Sequence, residues 1–224
     1  LFVVAALIFL GCSQDQKPFP EPTSPSFDTQ AAVNQEILAK MPKSLVDQIP
    51  KDQLDEIVRG RRFVWYLQGQ GDFPNPVGRC ESLLTVNIIG TGNASYLGRF
   101  SDQQSHCLDP ATSEFDNGYA IFTSVRTGEK IFIPYQGVLM STRDPHLLMI
   151  NGQTEIDGGT GRYIGATGEG SALVTLNVST GEAELVGFGS LILKNEEGKN
   201  ADKGIYPGLS QSHQRQTQDR RSHG

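Results

Sequence analysis

Cysteine and histidine are scarce in this chain, and their scarcity closes off several chemistries at once. Only 3 cysteines and 4 histidines occur among 224 residues. Cys12, Cys80 and Cys107 form no Cys-x-x-Cys pair, so neither a zinc knuckle nor a dithiol redox couple is encoded. His213 and His223 lie in a polar C-terminal stretch at a spacing that matches no metal pair, which leaves only His106 and His146 for chemistry. No metal and no cofactor is expected. Cations are in deficit as well, with 19 Lys and Arg against 25 Asp and Glu and a net charge of -6. Nucleic-acid binding draws on clustered positive charge, so it is not expected here. Long apolar runs are missing beyond residues 1–10, and a helix needs about 20 such residues to cross a bilayer. The chain carries no P-loop and no recognisable Ser-His-Asp arrangement.

What the chain has in quantity is glycine, with 25 residues, alongside many Thr, Val, Ile and Tyr. That combination leans toward an all-β domain with many turns. The uniformly apolar opening "LFVVAALIFL" has the length of a secretory h-region, about 7–15 residues. Gly11-Cys12 follows it, and "FLGC" resembles the lipobox of bacterial lipoproteins, whose cysteine is lipidated and becomes the mature N-terminus. Residues 1–11 are therefore expected to be a lipoprotein signal peptide with a truncated start, since neither Met nor a basic segment precedes Leu1. Cys12 is the expected lipidation site. A buried thiol in a first strand is the competing reading of Cys12. A lipidated cysteine needs a tether, however, and the stretch after it is rich in Pro, Gln and Ser. Residues 12–29 are read as that tether, stiffened toward polyproline II. Ser13 fits a sorting pattern for the outer membrane. The expected partner is then a membrane, held through the lipid, and the expected location is the extracytoplasmic cell envelope.

Residues 30–59 change period. Val33, Ile37, Leu38 and Met41 recur at helical spacing, as do Leu54, Ile57 and Val58. Pro42 and Pro50 stand where helices start, because a first turn needs no N–H from them. Two or three short amphipathic helices are expected. From residue 60 to 195 the period falls to two. Candidate strands are "RFVWYLQG", "SLLTVNIIG", "ASYLGRF", "YAIFTSV", "KIFIPYQGV", "HLLMINGQTEI", "SALVTLNV" and "EAELVGFGSLIL". Turn signals at Gly92-Asn93, Asn117-Gly118, Thr127-Gly128 and Thr180-Gly181 divide them. Eight short antiparallel strands suggest a closed barrel or a sandwich. Residues 196–224 are polar throughout and read as a disordered tail.

With Cys12 assigned to the lipid, Cys80 and Cys107 remain as an even pair in an exported protein, which suggests one disulfide. A hairpin turning at Gly92-Asn93 would set the two thiols opposite each other at its open end.

The run "GGTGRYIGATGEG", residues 158–170, resembles a dinucleotide turn letter by letter. Such a turn works only between a buried parallel strand and a helix. Here the lead-in "NGQTEIDGG" is polar and alternating, and the continuation is β-branched. The run is better read as a glycine-rich corner between strands. "GTGNASYLGRF", residues 90–100, shares its Gly-Thr-Gly, aromatic and Gly pattern, so the two look like paired structural devices. Gly90, Gly92, Gly98, Gly158, Gly159, Gly161, Gly165 and Gly168 are the turn glycines of the pair. Arg99 and Arg162 accompany them, each expected to be a surface or rim residue.

These two turns, Gly90 to Arg99 and Gly158 to Gly168, resemble those of bacterial proteins carrying an allene oxide cyclase barrel-like domain. The resemblance covers about residues 60–195. It implies an eight-stranded antiparallel β-barrel, related to the allene oxide cyclase and dirigent folds. Tyr96 stands where that family often has His, so no role of that His carries over. Plant allene oxide cyclase uses a buried acid in its lumen; Glu81 and Glu155 are the nearest carboxylates at strand positions, and each is more often a solvated residue. His106, beside Cys107, is expected in a loop.

Two functions follow. In the first, an envelope lipoprotein uses its barrel to bind a small apolar ligand or a protein partner, with Phe63, Trp65, Tyr66, Phe122, Phe132 and Phe188 filling the interior or lining a pocket. In the alternative, the barrel is a cyclase, isomerase or dirigent-like enzyme acting on a hydrophobic substrate in a dry lumen.

Overall fold

A computed structural model describes residues 27–72, 80, 83–144 and 146–194 of the chain. The signal-peptide, lipidation and C-terminal tail readings, and with them Cys12, Glu81, His213 and His223, lie outside the described residues.

Three helices come first: α1 (Phe27–Lys40), α2 (Lys43–Val46) and α3 (Lys51–Val58). Pro42 and Pro50 are the residues immediately before α2 and α3, as their missing N–H groups favour. α1 begins at Phe27, so the last residues of the stretch read as a tether are helical. Among the described residues no helix is long and apolar enough to cross a membrane.

Eight strands follow: β1 (Phe63–Asp72), β2 (Leu84–Ala94), β3 (Gly98–Leu108), β4 (Glu114–Ser124), β5 (Lys130–Ser141), β6 (Leu147–Asp157), β7 (Thr167–Asn177) and β8 (Glu182–Gly189). They run in chain order and β8 pairs back onto β1, every pairing antiparallel, which closes the barrel. Closure leaves no edge strand to template association.

The turns are partly where the glycines suggested. Gly128 and Gly181 sit at φ 73° and 77° in tight connections, where a left-handed backbone favours glycine. Two other turn signals prove to lie inside strands. Gly92-Asn93 belongs to β2, paired with Leu67 and Tyr66 of β1, and the β2–β3 hairpin turns at residues 95–97 instead. "ASYLGRF" is therefore not one strand: Ala94 ends β2 and Gly98 opens β3. Asn117-Gly118 forms a bulge within β4, with Asn117 at φ 47° and the pairing to β5 slipping between Phe115 and Gly118.

The barrel has two apolar interfaces. Inside, alternate residues of all eight strands form the main core. Outside, the helices cover β1 and β8: Ile37, Leu45 and Ile57 pack on Val64, Tyr66 and Phe188. This second layer explains why "FVWYL" at the start of β1 is buried at every position rather than alternating. It also corrects the expected interior. Tyr66 and Phe188 point outward under the helices, and Phe132 lies on the outer face, stacked on Tyr119 at 6.1 Å. Phe63, Trp65 and Phe122 face inward as expected.

Asn34, with no exposed surface, locks the helical layer down. Its amide donates to the carbonyls of Ile57 and Arg62 at 2.8 and 3.0 Å, while its oxygen accepts from Gln30 at 2.8 Å. A buried amide so satisfied fixes where α3 ends and β1 begins.

Candidate functional site: a small cavity in the barrel lumen

The interior is filled by large rings seated against positions without side chains. Phe100 and Phe122 stack at 4.3 Å, and Trp65 meets Phe122 edge-on at 5.8 Å. The indole of Trp65 lies over Gly187, where any Cβ would overlap the ring. Gly118 is held the same way by Tyr135, whose ring atoms stand 2.5 Å from where a Cβ would be. Alternating large and small inward residues is how a barrel of this size closes its lumen.

The filling is incomplete. A cavity of about 40 Å³ remains between Trp65, Ile88, Phe115, Ile133, Val174 and Leu185. The space around it, open solvent included, comes to about 490 Å³. Gln104, His106, Tyr135 and Thr154 make its polar lining.

Two of these, Gln104 and His106, come from β3; Tyr135 is on β5 and Thr154 on β6. Phe100, Asp102, Gln104, His106 and Leu108 are the buried, inward-facing residues of β3. Gln104 Nε2 donates to Asp102 Oδ2 at 2.6 Å. Asp102 has no exposed surface, and its Oδ1 has no hydrogen-bond partner. Burial pushes its carboxyl up to about 8; the Gln104 and Gln103 hydrogen bonds pull it down only in part. Burial therefore favours the neutral form of Asp102 at neutral pH. Farther along, His106 Nδ1 and the Tyr135 hydroxyl are 3.0 Å apart, and the imidazole packs on Phe115 at 4.7 Å. His106 thus belongs to the lumen wall, not to a loop as expected.

The disulfide sits directly behind this wall. Cys80 and Cys107 are bonded, with Cα atoms 5.5 Å apart. The pairing is the one expected, but its geometry is not: Cys107 faces Thr85 across the β2–β3 ladder, and Cys80 lies upstream of β2. The bond therefore pins the β1–β2 connection to the strand that carries His106.

The two glycine turns meet at the opposite end of β3. The run after β6 holds a single 3-10 turn, Gly161–Tyr163, between glycines at φ 76° (Gly158) and 70° (Gly165). No strand-to-helix frame surrounds it, so it is a corner. Tyr163 from this corner is fully buried, and its hydroxyl donates to the Tyr96 carbonyl of the other turn at 3.0 Å. Arg162 donates to the same carbonyl and to the Tyr163 hydroxyl, and pairs with Glu129 at 3.5 Å. Burial raises the Tyr163 hydroxyl to about 12 despite the guanidinium beside it. The paired turns are a plug. Of their arginines, Arg162 is the clamp and Arg99 is an exposed strand residue.

The remaining candidates stand apart. Glu155 is exposed on the outer face of β6, opposite Glu169. His146 is exposed on the rim, with Nδ1 2.7 Å from Ser179 Oγ. The amides of Ser179 and Thr180 both donate to Asn177 Oδ1, at 3.0 and 3.2 Å, so this turn spends its donors on itself. Among the described residues no group of three His, Cys, Asp or Glu could hold a metal.

Asp102, Gln104, Tyr135 and Thr154 escape a reading of the sequence. "SDQQSHC" is polar on both faces, so its period of two is invisible. The one available signal is that the stretch contains no Gly, Pro or Asn to end a strand. Comparison of the chain with family models, with curated proteins and with solved structures finds no match.

Proposed function

We propose that the barrel is a binding module that takes a small, mainly apolar molecule into its lumen, held at the cell envelope by a lipid on Cys12. The observation that carries the binding reading is the cavity itself, an almost wholly apolar space inside the barrel, and apolar lining is what most small-ligand sites share. Its size supports a narrow ligand, since a void of about 150 Å³ is what benzene needs. Trp65 lines the cavity, is almost fully buried and is the single tryptophan of the chain. Xenon, apolar and of a size suited to so small a void, should quench its fluorescence saturably. Ala172→Val, which adds two carbons to the lining, should abolish the saturable part. A purely linear response in the unaltered protein would overturn lumen binding.

The anchor rests on the apolar run of residues 1–10 and the Gly11-Cys12 pair. Radiolabelled palmitate should be incorporated by the expressed protein and not by Cys12→Ser; label retained in the variant would exclude lipidation at Cys12. One observation favours a second reading, the cyclase or isomerase. Asp102 is a buried neutral acid one hydrogen bond from the cavity lining, a setting in which carboxyl groups serve as acids.

A further inference from the structure

We propose that the barrel docks end-on against a membrane of anionic lipids, through the end where the glycine corner and its neighbouring turns meet. This gives the attachment proposed at Cys12 an orientation and does not rest on it.

The charge of the barrel is divided between its two ends. Because neighbouring strands are antiparallel, the connections α3–β1, β2–β3, β4–β5 and β6–β7, and the chain leaving β8, all lie at one end. Within residues 59–62, 95–97, 125–129, 158–166 and 190–194 the only carboxylate is Glu129, and Arg162 pairs with it. Asp157, the last residue of β6, is the one carboxylate among the strand ends there. Arg126, Arg162 and Lys194 stand in these connections, and Arg99 and Lys130 stand within the first two residues of β3 and β5. Arg59 and Arg61, before β1, are partly neutralised by Glu56. Arg99, Arg126, Lys130 and Lys194 form no ion pair among the described residues. The opposite end is the reverse: Asp109, Glu114, Asp144 and Glu182 stand there, and Arg143 is the only cation among the described residues of its connections. The net charge of -6 thus conceals a barrel with one positive end.

Two large aliphatic side chains stand out among these cations. Val125, beside Arg126, is 62% exposed, and Ile164, two residues after Arg162, is 64% exposed. Single exposed aliphatics are ordinary on a protein surface. Both of these, however, occupy turns, which polar residues and glycine ordinarily fill. The turns are also braced against one another. The Val125 N–H donates to the Arg99 carbonyl at 2.9 Å, the Arg162 N–H to Glu129 Oε1 at 3.1 Å and the Lys130 N–H to Thr160 Oγ1 at 2.9 Å. Cations and aliphatics therefore belong to one fixed surface.

An anionic bilayer answers both features. Its surface potential attracts Lys and Arg that come within a Debye length, and apolar side chains enter the boundary between headgroups and acyl chains. A soluble polyanion would answer the cations alone and leave Val125 and Ile164 in water. The same field repels the acidic end, which selects the end-on orientation.

The test uses residues 13–224, which keep the whole described fold and carry neither the apolar run nor Cys12. Binding is read by co-sedimentation with vesicles of about one-third phosphatidylglycerol in phosphatidylcholine, against phosphatidylcholine alone. The expected result is binding to the anionic vesicles only, lost in high salt. Arg99→Gln, Arg126→Gln and Lys194→Gln should each weaken it about fivefold and together about a hundredfold. Arg143→Gln, at the opposite end, should leave it unchanged. Ile164→Trp should show a blue-shifted emission on the anionic vesicles, above the constant contribution of the buried Trp65. All the substituted positions are exposed, and unchanged melting temperatures would show that the fold is kept. Equal binding to both kinds of vesicle, or binding to neither, would overturn the inference with no variant needed. A fivefold loss with Arg143→Gln, or an unshifted emission from Ile164→Trp, would overturn the assignment to this end. Retention on polyphosphate without vesicle binding would overturn it in favour of a soluble polyanion. Failure on any of these counts leaves lumen binding and lipidation of Cys12 standing.

Discussion

Acidifying the solution from pH 8 to pH 5 should stabilise this protein by about 3–4 kcal/mol through Asp102 alone. The carboxyl is raised in the folded state to about 8 from an ordinary 3.8, because burial removes its hydration and neither flanking position offers a counter-charge. Between those two values the folded protein holds a proton that the unfolded chain has released. Stability is then fully present below the unfolded value and is lost as pH rises through the folded one. The sign is opposite to that of an ion-paired carboxylate. Glu36, lowered by its exposed pairing with Lys40, works the other way but titrates below this window. Relief of the net negative charge also favours the acid side, so the comparison that isolates Asp102 is Asp102→Asn. Urea unfolding midpoints of the unaltered protein should rise steadily from pH 8 to 5. Those of the variant should be flatter, and at pH 7 the variant should be the more stable by about 2–4 kcal/mol. Parallel curves would show that Asp102 is ionised in the folded protein.

Loss of the disulfide should be comparable in size. Cys80 and Cys107 are separated by 27 positions, and opening a loop of that length costs about 3–4 kcal/mol in the chain-entropy model. Both half-cystines are buried, so the cross-link adds no exposed strain point for a reductant. The expected result is a melting temperature about 10 °C lower for Cys80→Ala/Cys107→Ala than for the oxidised protein. Protein reduced under unfolding conditions and refolded with its thiols free, under excess reductant, should give the same shift. Equal midpoints would mean that the unfolded chain already keeps these two segments together.

Much of the architecture was legible because its signals are local. A left-handed backbone at Gly128, Gly158, Gly165 or Gly181 is a property of one residue, and it marks a turn wherever it falls. Pro42 and Pro50 announce helix starts for a reason equally confined to themselves. The misreadings occur where a local signal serves a distant contact. Gly92 looks like a hairpin turn, but it is bare because Phe100 and Leu67 occupy the space beside it. Asn117-Gly118 looks like a turn and is a bulge, since Tyr135 crowds Gly118 from the next strand.

The sequence by itself determined the all-β class, the eight antiparallel strands, the helices ahead of them and the pairing of Cys80 with Cys107. Period and turn chemistry left a closed barrel and a sandwich both open, and the barrel entered only as what the resemblance implies. Only the tertiary structure decided which face of each strand is the interior. Alternation shows that two sets of residues face opposite ways, yet both faces of β1 are apolar because helices cover one of them, and both faces of β3 are polar. Closure of the barrel, and the register that closure imposes, turned Asp102, Gln104 and His106 inward and sent Tyr66 and Phe188 outward. The candidate site therefore exists in no single stretch of the chain. It arises where a polar strand is made to complete an apolar wall.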